Sequence, residues 1–138
     1  MRIMAVDYGD ARTGVAVSDG TATLAGEAWV FRGKNMAEVA RAVAAEAASR
    51  GVGAVVVGYP KNMNGSVGPR AEKSERLAGL VRKFCKAEVV LWDERMTTVS
   101  AHRILADAGR FGKKRKNTVD AVAASLILES YLDYLSKK

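Results

Sequence analysis

The chain of 138 residues holds one cysteine and one histidine. A lone Cys85 cannot form an internal disulfide, and its place on a helical apolar stripe reads as a core thiol, not a nucleophile. With no cluster of Cys or His, a zinc centre of the thiolate or imidazole kind is excluded. No apolar run approaches the length that spans a bilayer, and the opening residues lack the basic, apolar and small-residue order of a secretory signal. The expectation is therefore a cytoplasmic protein without a membrane partner. Internal repeats, linkers and low-complexity tracts are missing too, so a single domain over 1–138 is expected, long enough to bury about 70% of its unfolded surface. Acidic residues are the scarcer charge: 15 Asp and Glu against 22 Lys and Arg leave a net charge of +7. That balance speaks of partners and not of fold, and it points to a polyanion.

What is present begins with the first nineteen residues. Ile3-Met4-Ala5-Val6 and Gly14-Val15-Ala16-Val17 are short apolar runs separated by Asp7-Tyr8-Gly9-Asp10, the pattern of a β-hairpin. Thr21–Arg32 reads as a third strand. An Ala-rich helical stripe follows at Met36, Val39, Ala40, Val43, Ala44 and Ala47, and Gly51 ends it. Val55–Val57 is a buried strand. Lys61–Arg70 has no periodicity and is a long polar loop, expected to be mobile and to close over a substrate. Helical spacing returns at Leu77, Leu80, Val81, Phe84 and Cys85, and Val89–Trp92 is a further strand. A short helix over about Thr98 to Ala108 and a final helix carrying Val119, Val122, Ala123, Leu126, Ile127 and Tyr131 complete the chain. Three strands and then helix–strand alternation predict an α/β fold with a five-stranded mixed sheet. An antiparallel meander opens that sheet, and helices cover both its faces.

Asp7 and the Asp93/Glu94 pair fall just beyond the apolar runs of their strands. If those strands are parallel, their acidic ends converge on one rim, where ligands gather in open α/β sheets. Asp120 is a third acid, placed in the first turn of the last helix at the margin of its apolar face. Each acid has an ordinary alternative. Asp7 suits a turn, Asp93 and Glu94 suit a solvated cluster around Arg95, and Asp120 suits a helix N-terminus capped by Asn117 or Thr118. Together they are more informative, because three carboxylates on one rim repel unless a cation lies among them. Hard oxygen donors without His or Cys select Mg²⁺ or Mn²⁺. In a basic protein that combination points to phosphodiester chemistry, with two ions when substrate is bound.

Several residues in their order resemble the YqgF/RuvX family: Asp7-Tyr8-Gly9, Arg12-Thr13-Gly14-Val15-Ala16, Gly58-Tyr59-Pro60, Gly65, Asp93-Glu94-Arg95-Met96-Thr97-Thr98 and Asp120-Ala121-Val122-Ala123-Ala124. The similarity runs from Arg2 to about Leu135, and the Asp-Glu-Arg-x-Thr-Thr run together with the terminal Asp-x-x-Ala-Ala helix makes it specific. The resemblance implies a ribonuclease H-like fold and a metal-dependent nuclease. It implies Asp7, Glu94 and Asp120 as the acidic, metal-holding and catalytic set, with Asp93 as a further candidate beside them. It also implies maturation of the 5′ end of precursor 16S ribosomal RNA as the leading activity, with Holliday-junction resolution as the alternative. A nucleic-acid-binding assembly factor without turnover is a third reading. An actin-like phosphotransferase is disfavoured, since such enzymes close two domains around a nucleotide.

Substrate, whether structured RNA or branched DNA, would be held by cations. Arg110, Lys113, Lys114, Arg115 and Lys116 precede the Asp120 helix as a basic loop. Lys61, Asn62 and Arg70 belong to the long polar loop, Arg12 to the first hairpin, and Arg95 either meets phosphate or orients its acidic neighbours. His102 would at most shuttle a proton. A monomer and a homodimer are both compatible with these residues.

Overall fold

The computed structural model describes residues 1–20, 25–33, 35–97 and 115–137, the side chains of 25, 97 and 115–120 excepted. Its strands are β1 (Arg2–Asp7), β2 (Arg12–Ser18), β3 (Ala25–Arg32), β4 (Val52–Tyr59) and β5 (Glu88–Asp93). Its helices are α1 (Met36–Ser49), α2 (Pro69–Phe84) and α3 (Arg115–Ser136), with a 3₁₀ turn over Glu94–Thr97. The strands form one five-stranded sheet in the order β3-β2-β1-β4-β5. β1 and β3 are antiparallel to β2, while β4 runs parallel to both β1 and β5. The expected mixed sheet is therefore present, and the carboxyl ends of β1, β4 and β5 share one edge.

The central strands are apolar on both faces because both are covered. Alternation sends Met4, Val6, Val15, Val17, Val55 and Val57 to one side, where Val39 and Val43 of α1 and Leu77 and Val81 of α2 pack on them. Ile3, Ala5, Ala16, Ala54 and Val56 face the other way and meet Ala124, Ile127, Leu128 and Tyr131 of α3. Each such fully buried Val, Leu or Ile contributes roughly 1.5–3 kcal/mol relative to exposure. The α3 side uses alanines on the sheet, so the helix rides close to it. Asn35 starts α1, its Oδ1 accepting the Ala37 N–H at 2.8 Å, a cap worth about 1 kcal/mol.

Two helix starts differ from the sequence expectation. α2 begins at Pro69, with Gly68 as its N-cap, so Arg70 lies in a first helical turn and not in the loop. Proline suits that position because its missing N–H has no partner there anyway. α3 begins at Arg115, which removes Arg115 and Lys116 from the expected basic loop. Lys and Arg are good helix formers, so the helix extends back into the basic run. Asp120 consequently stands in the second turn, and Asn117 and Thr118 are interior positions rather than caps. The dipole account of Asp120 weakens with it, since that effect fades beyond the first turn. The expected Thr98–Ala108 helix lies outside the described residues, as do residues 21–24 of the expected third strand. Among the described residues no helix is long and apolar enough to cross a membrane.

Candidate active site

Asp7 is the last residue of β1, and Glu94 follows β5 directly. With only β4 between these parallel strands, the two carboxyl groups reach each other and share a hydrogen bond. A bond between two carboxyls requires a proton on one of them. The Glu94 carboxyl is held above its ordinary value of 4.5, chiefly by burial and also by the charge of Asp93; the bond to Asp7 and the charge of Arg70 pull the other way. Glycine makes room for this pair. A Cβ on Gly58 would lie 2.7 Å from Glu94 Oε1 and 2.6 Å from Ile127 Cδ1, so no side chain fits there beside the carboxyl. Gly9 has a similar duty in the β1–β2 turn, where a Cβ would stand 2.3 Å from the Arg12 carbonyl oxygen.

Asp93 has a different environment. Its carboxylate accepts from Arg95 Nε at 2.9 Å and Nη2 at 2.6 Å, and its Oδ1 also takes the Arg95 backbone N–H at 3.0 Å. The hydrogen bonds from the Arg95 side chain are the main reason its pKa is lowered. Adjacent in sequence, the two acids thus divide: Asp93 fixes the 3₁₀ turn, while Glu94 is turned toward Asp7.

Asp120 is placed here only by its backbone. It precedes Ala124 by one turn and Ile127 by two on the α3 face that covers the sheet, and Ile127 is the residue beside Gly58. Among the described residues no group of three His, Cys, Asp or Glu is gathered. The described donors are the two carboxyls, oxygen-only and set against each other. That set fits a hard ion such as Mg²⁺ or Mn²⁺.

The cations are distributed around this pair. Arg70 is close enough for its charge to act on Glu94, and that of Lys61 acts on Asp93. Lys61 Nζ also sits 5.4 Å from the centre of the Tyr59 ring, whose hydroxyl donates to Glu75. Asn62 is occupied within its own loop, donating from Nδ2 to Ser66 Oγ at 2.9 Å. Arg12 opens β2, half-buried and opposite Arg32 of β3. Sequence reasoning missed Lys73. It joins Tyr8, Gly9, Asp10 and Arg70 around a cleft of about 170 Å³, and its Nζ pairs with Asp10 Oδ1 at 2.7 Å. No local signal marks it, since Arg70 reads as part of the loop and the partner Asp10 is 63 residues away. Arg110, Lys113, Lys114 and His102 lie outside the described residues, and of Arg115 and Lys116 the backbone alone is described.

A mixed sheet whose first strand lies between its hairpin partner and two parallel strands, helices on both faces and acids at the ends of β1 and β5 define the ribonuclease H-like class. The RuvX family, described as Holliday junction resolvase, matches residues 1–134, and the chain belongs to it. A relative from Halothermothrix orenii, named "Putative pre-16S rRNA nuclease", is 44% identical over 137 residues, covering 99% of this chain and 98% of the relative. A Geobacillus thermodenitrificans relative of the same name is 46% identical over 140 residues, covering 96% and 98%. Among solved structures, Thermus thermophilus RuvC in complex with a Holliday junction substrate aligns with a TM-score of 0.70 at 15% identity, covering 99% of this chain and 96% of that one. The fowlpox virus resolvase in its junction DNA complex aligns at 0.56 and 15%, covering 98% and 99%. At such identities the likeness is one of fold.

Proposed function

We propose that this chain is a metal-dependent endonuclease that hydrolyses phosphodiester bonds in structured RNA, maturing the 5′ end of precursor 16S ribosomal RNA. The supporting observation is the Asp7–Glu94 carboxyl pair, half-buried and within hydrogen-bonding reach of each other, at the rim of a strongly basic chain. A protein that merely bound nucleic acid would gain nothing from negative charge facing phosphate. Asp7 and Glu94, with Asp120 from α3, are the residues that would hold Mg²⁺ or Mn²⁺. When bound, two such ions lower the pKa of the attacking water and stabilise the leaving oxygen.

The remaining steps belong to the protein. The positive charge of Arg70 favours the ionised form of Glu94 that a cation needs. Asp93 and Arg95 hold the 3₁₀ turn on which Glu94 is carried. Lys61, Arg70 and Lys73, with the basic residues leading into α3, neutralise the phosphates on either side of the cleaved bond and position it without reading sequence. The names of the curated relatives favour RNA. The family's description favours a second reading, cleavage of four-way DNA junctions. Incubating the chain with labelled precursor RNA and with a four-way DNA junction, each with and without Mn²⁺, tests both. Metal-dependent cleavage of the RNA at its mature 5′ end is expected; cleavage of the junction alone would favour the second reading, and cleavage of neither would overturn the nuclease assignment.

A further inference from the structure

Three of the exposed large apolar side chains among the described residues lie in the segments that follow β4 and β5. Met63 is 84% exposed, Met96 67% and Val67 42%. Met63 and Val67 stand between β4 and α2, and Met96 stands two residues after Glu94. The two segments meet, since a Cβ on Gly65 would be 3.5 Å from Arg95 Nη1.

The exposure of Met63 does not come from a slack loop. Asn62 N–H donates to the Ser66 carbonyl at 3.0 Å, and Gly65 N–H to the Asn62 carbonyl at 2.8 Å. Asn64 Oδ1 accepts from both Ser66 N–H at 3.0 Å and Ser66 Oγ at 2.6 Å. Gly65 completes the turn at φ 87°, a left-handed conformation that suits glycine. Met63 is thus held outward by a turn tied together on both sides of it. A large apolar side chain held out of an ordered polar turn at the carboxyl edge of the sheet is placed to meet a partner.

The neighbouring charges say what covers it. Met63 stands two residues after Lys61, whose charge reaches Asp93, and its turn meets through Gly65 the Arg95 side chain that pairs with Asp93, next to Glu94. A partner that offers negative charge and flat apolar faces within the same few ångströms is a nucleic acid, whose phosphates lie outside its stacked bases. We propose that Met63 is an apolar wedge that enters the base stack of the nucleic-acid substrate beside the cleaved phosphodiester, directing cleavage to places where bases are already unpaired. The inference rests on the nuclease reading above and adds to it the feature selected in the substrate. An unbranched, polarizable thioether adapts to any base step, so it recognises opened structure without reading sequence. Inserted apolar side chains must unstack the bases they separate, and that cost is least where pairing is already lost.

The test uses the full chain in EDTA and an RNA duplex with 2-aminopurine at its boundary with a single strand, alongside the fully paired counterpart. Wild-type binding should raise the fluorescence of the boundary RNA as the probe unstacks. Met63→Ala should bind without that rise, about five- to tenfold more weakly to the boundary RNA and within about twofold of wild type to the paired duplex. Met63→Leu should restore the rise. A Met63→Ala protein that keeps both the rise and the boundary preference overturns the wedge, as does a wild-type protein that binds without any rise. Cleavage of precursor RNA in Mg²⁺ is read separately. A chain that cleaves normally while Met63→Ala keeps the fluorescence rise leaves the nuclease reading standing and removes the wedge. A chain that binds no RNA overturns both.

Discussion

The Glu94 carboxyl fills the space that a side chain on Gly58 would need, its Oε1 lying 2.7 Å from that would-be Cβ. Gly58 is in β4, between the strands that carry the two acids, so the glycine is the floor on which the pair rests. Gly58→Ala should force both Glu94 and the buried Ile127 to shift, costing roughly 1–3 kcal/mol by overpacking. Cleavage should fall at temperatures where urea titration still finds the variant folded. Wild-type turnover in a folded Gly58→Ala protein would show that Glu94 can move without consequence.

Asp7→Asn keeps the shape of the side chain and deletes a charge that a hard cation requires. Cleavage in Mg²⁺ should drop by orders of magnitude, while RNA affinity in EDTA holds or rises because one repulsive charge near the phosphates is gone. Asp120→Asn should behave alike if it shares the site. Turnover assays and filter binding on the same preparations decide the matter, and full activity of purified Asp7→Asn would end the metal-site assignment.

The folded Glu94 carboxyl keeps its proton above the ordinary value of 4.5, so between that pH and its folded pKa the native state binds more protons than the unfolded chain. Stability of the metal-free protein should therefore fall as pH rises through that window. Glu94→Gln removes the titration. In EDTA it should be more stable than wild type at neutral pH, with the gap closing toward pH 4.5. Urea midpoints measured across the range check this, and parallel curves for the two proteins would refute it.

Replacing Lys113, Lys114, Arg115 and Lys116 with Ala should weaken nucleic-acid binding about equally across sequences. The log–log salt slope should flatten by about 0.7–0.9 for each phosphate that is no longer neutralised. An unchanged slope would mean that this segment does not touch the backbone.

Much of this architecture is legible in the residues, for identifiable reasons. The strands Arg2–Asp7 and Val52–Tyr59 reveal themselves because burial on both faces leaves few polar positions, the half-buried edge strand Glu88–Asp93 by its apolar run, and an acid at the end of such a run stands out. The division of Asp93 from Glu94 is not legible. Two adjacent carboxylates look alike until the backbone sends one toward Arg95 and the other toward Asp7. The Lys61–Arg70 stretch reads as mobile because Asn, Ser and Gly lack periodicity; the same residues supply the hydrogen bonds that tie the turn together. The start of α3 at Arg115 is hidden because a run of cations suits a solvated loop and a helix equally. Lys73 looks like an ordinary helix-surface charge, since its partner Asp10 is sixty-three residues away.

The alanines beneath α3 set the height at which that helix rides. Ala5, Ala16 and Ala54 are fully or almost fully buried under Ala124, Ile127 and Leu128, in a close-packed layer where an added side chain displaces its neighbours. A larger residue at any of them would lift α3 as a rigid rod and carry the backbone of Asp120 away from β1 and β5. A displacement of about 1 Å far from the chemistry can cost a hundredfold in rate. The distance from the Asp120 backbone to the acids of β1 and β5 is therefore set by methyl groups on the sheet face, and a larger residue there should lower cleavage without altering any charged residue.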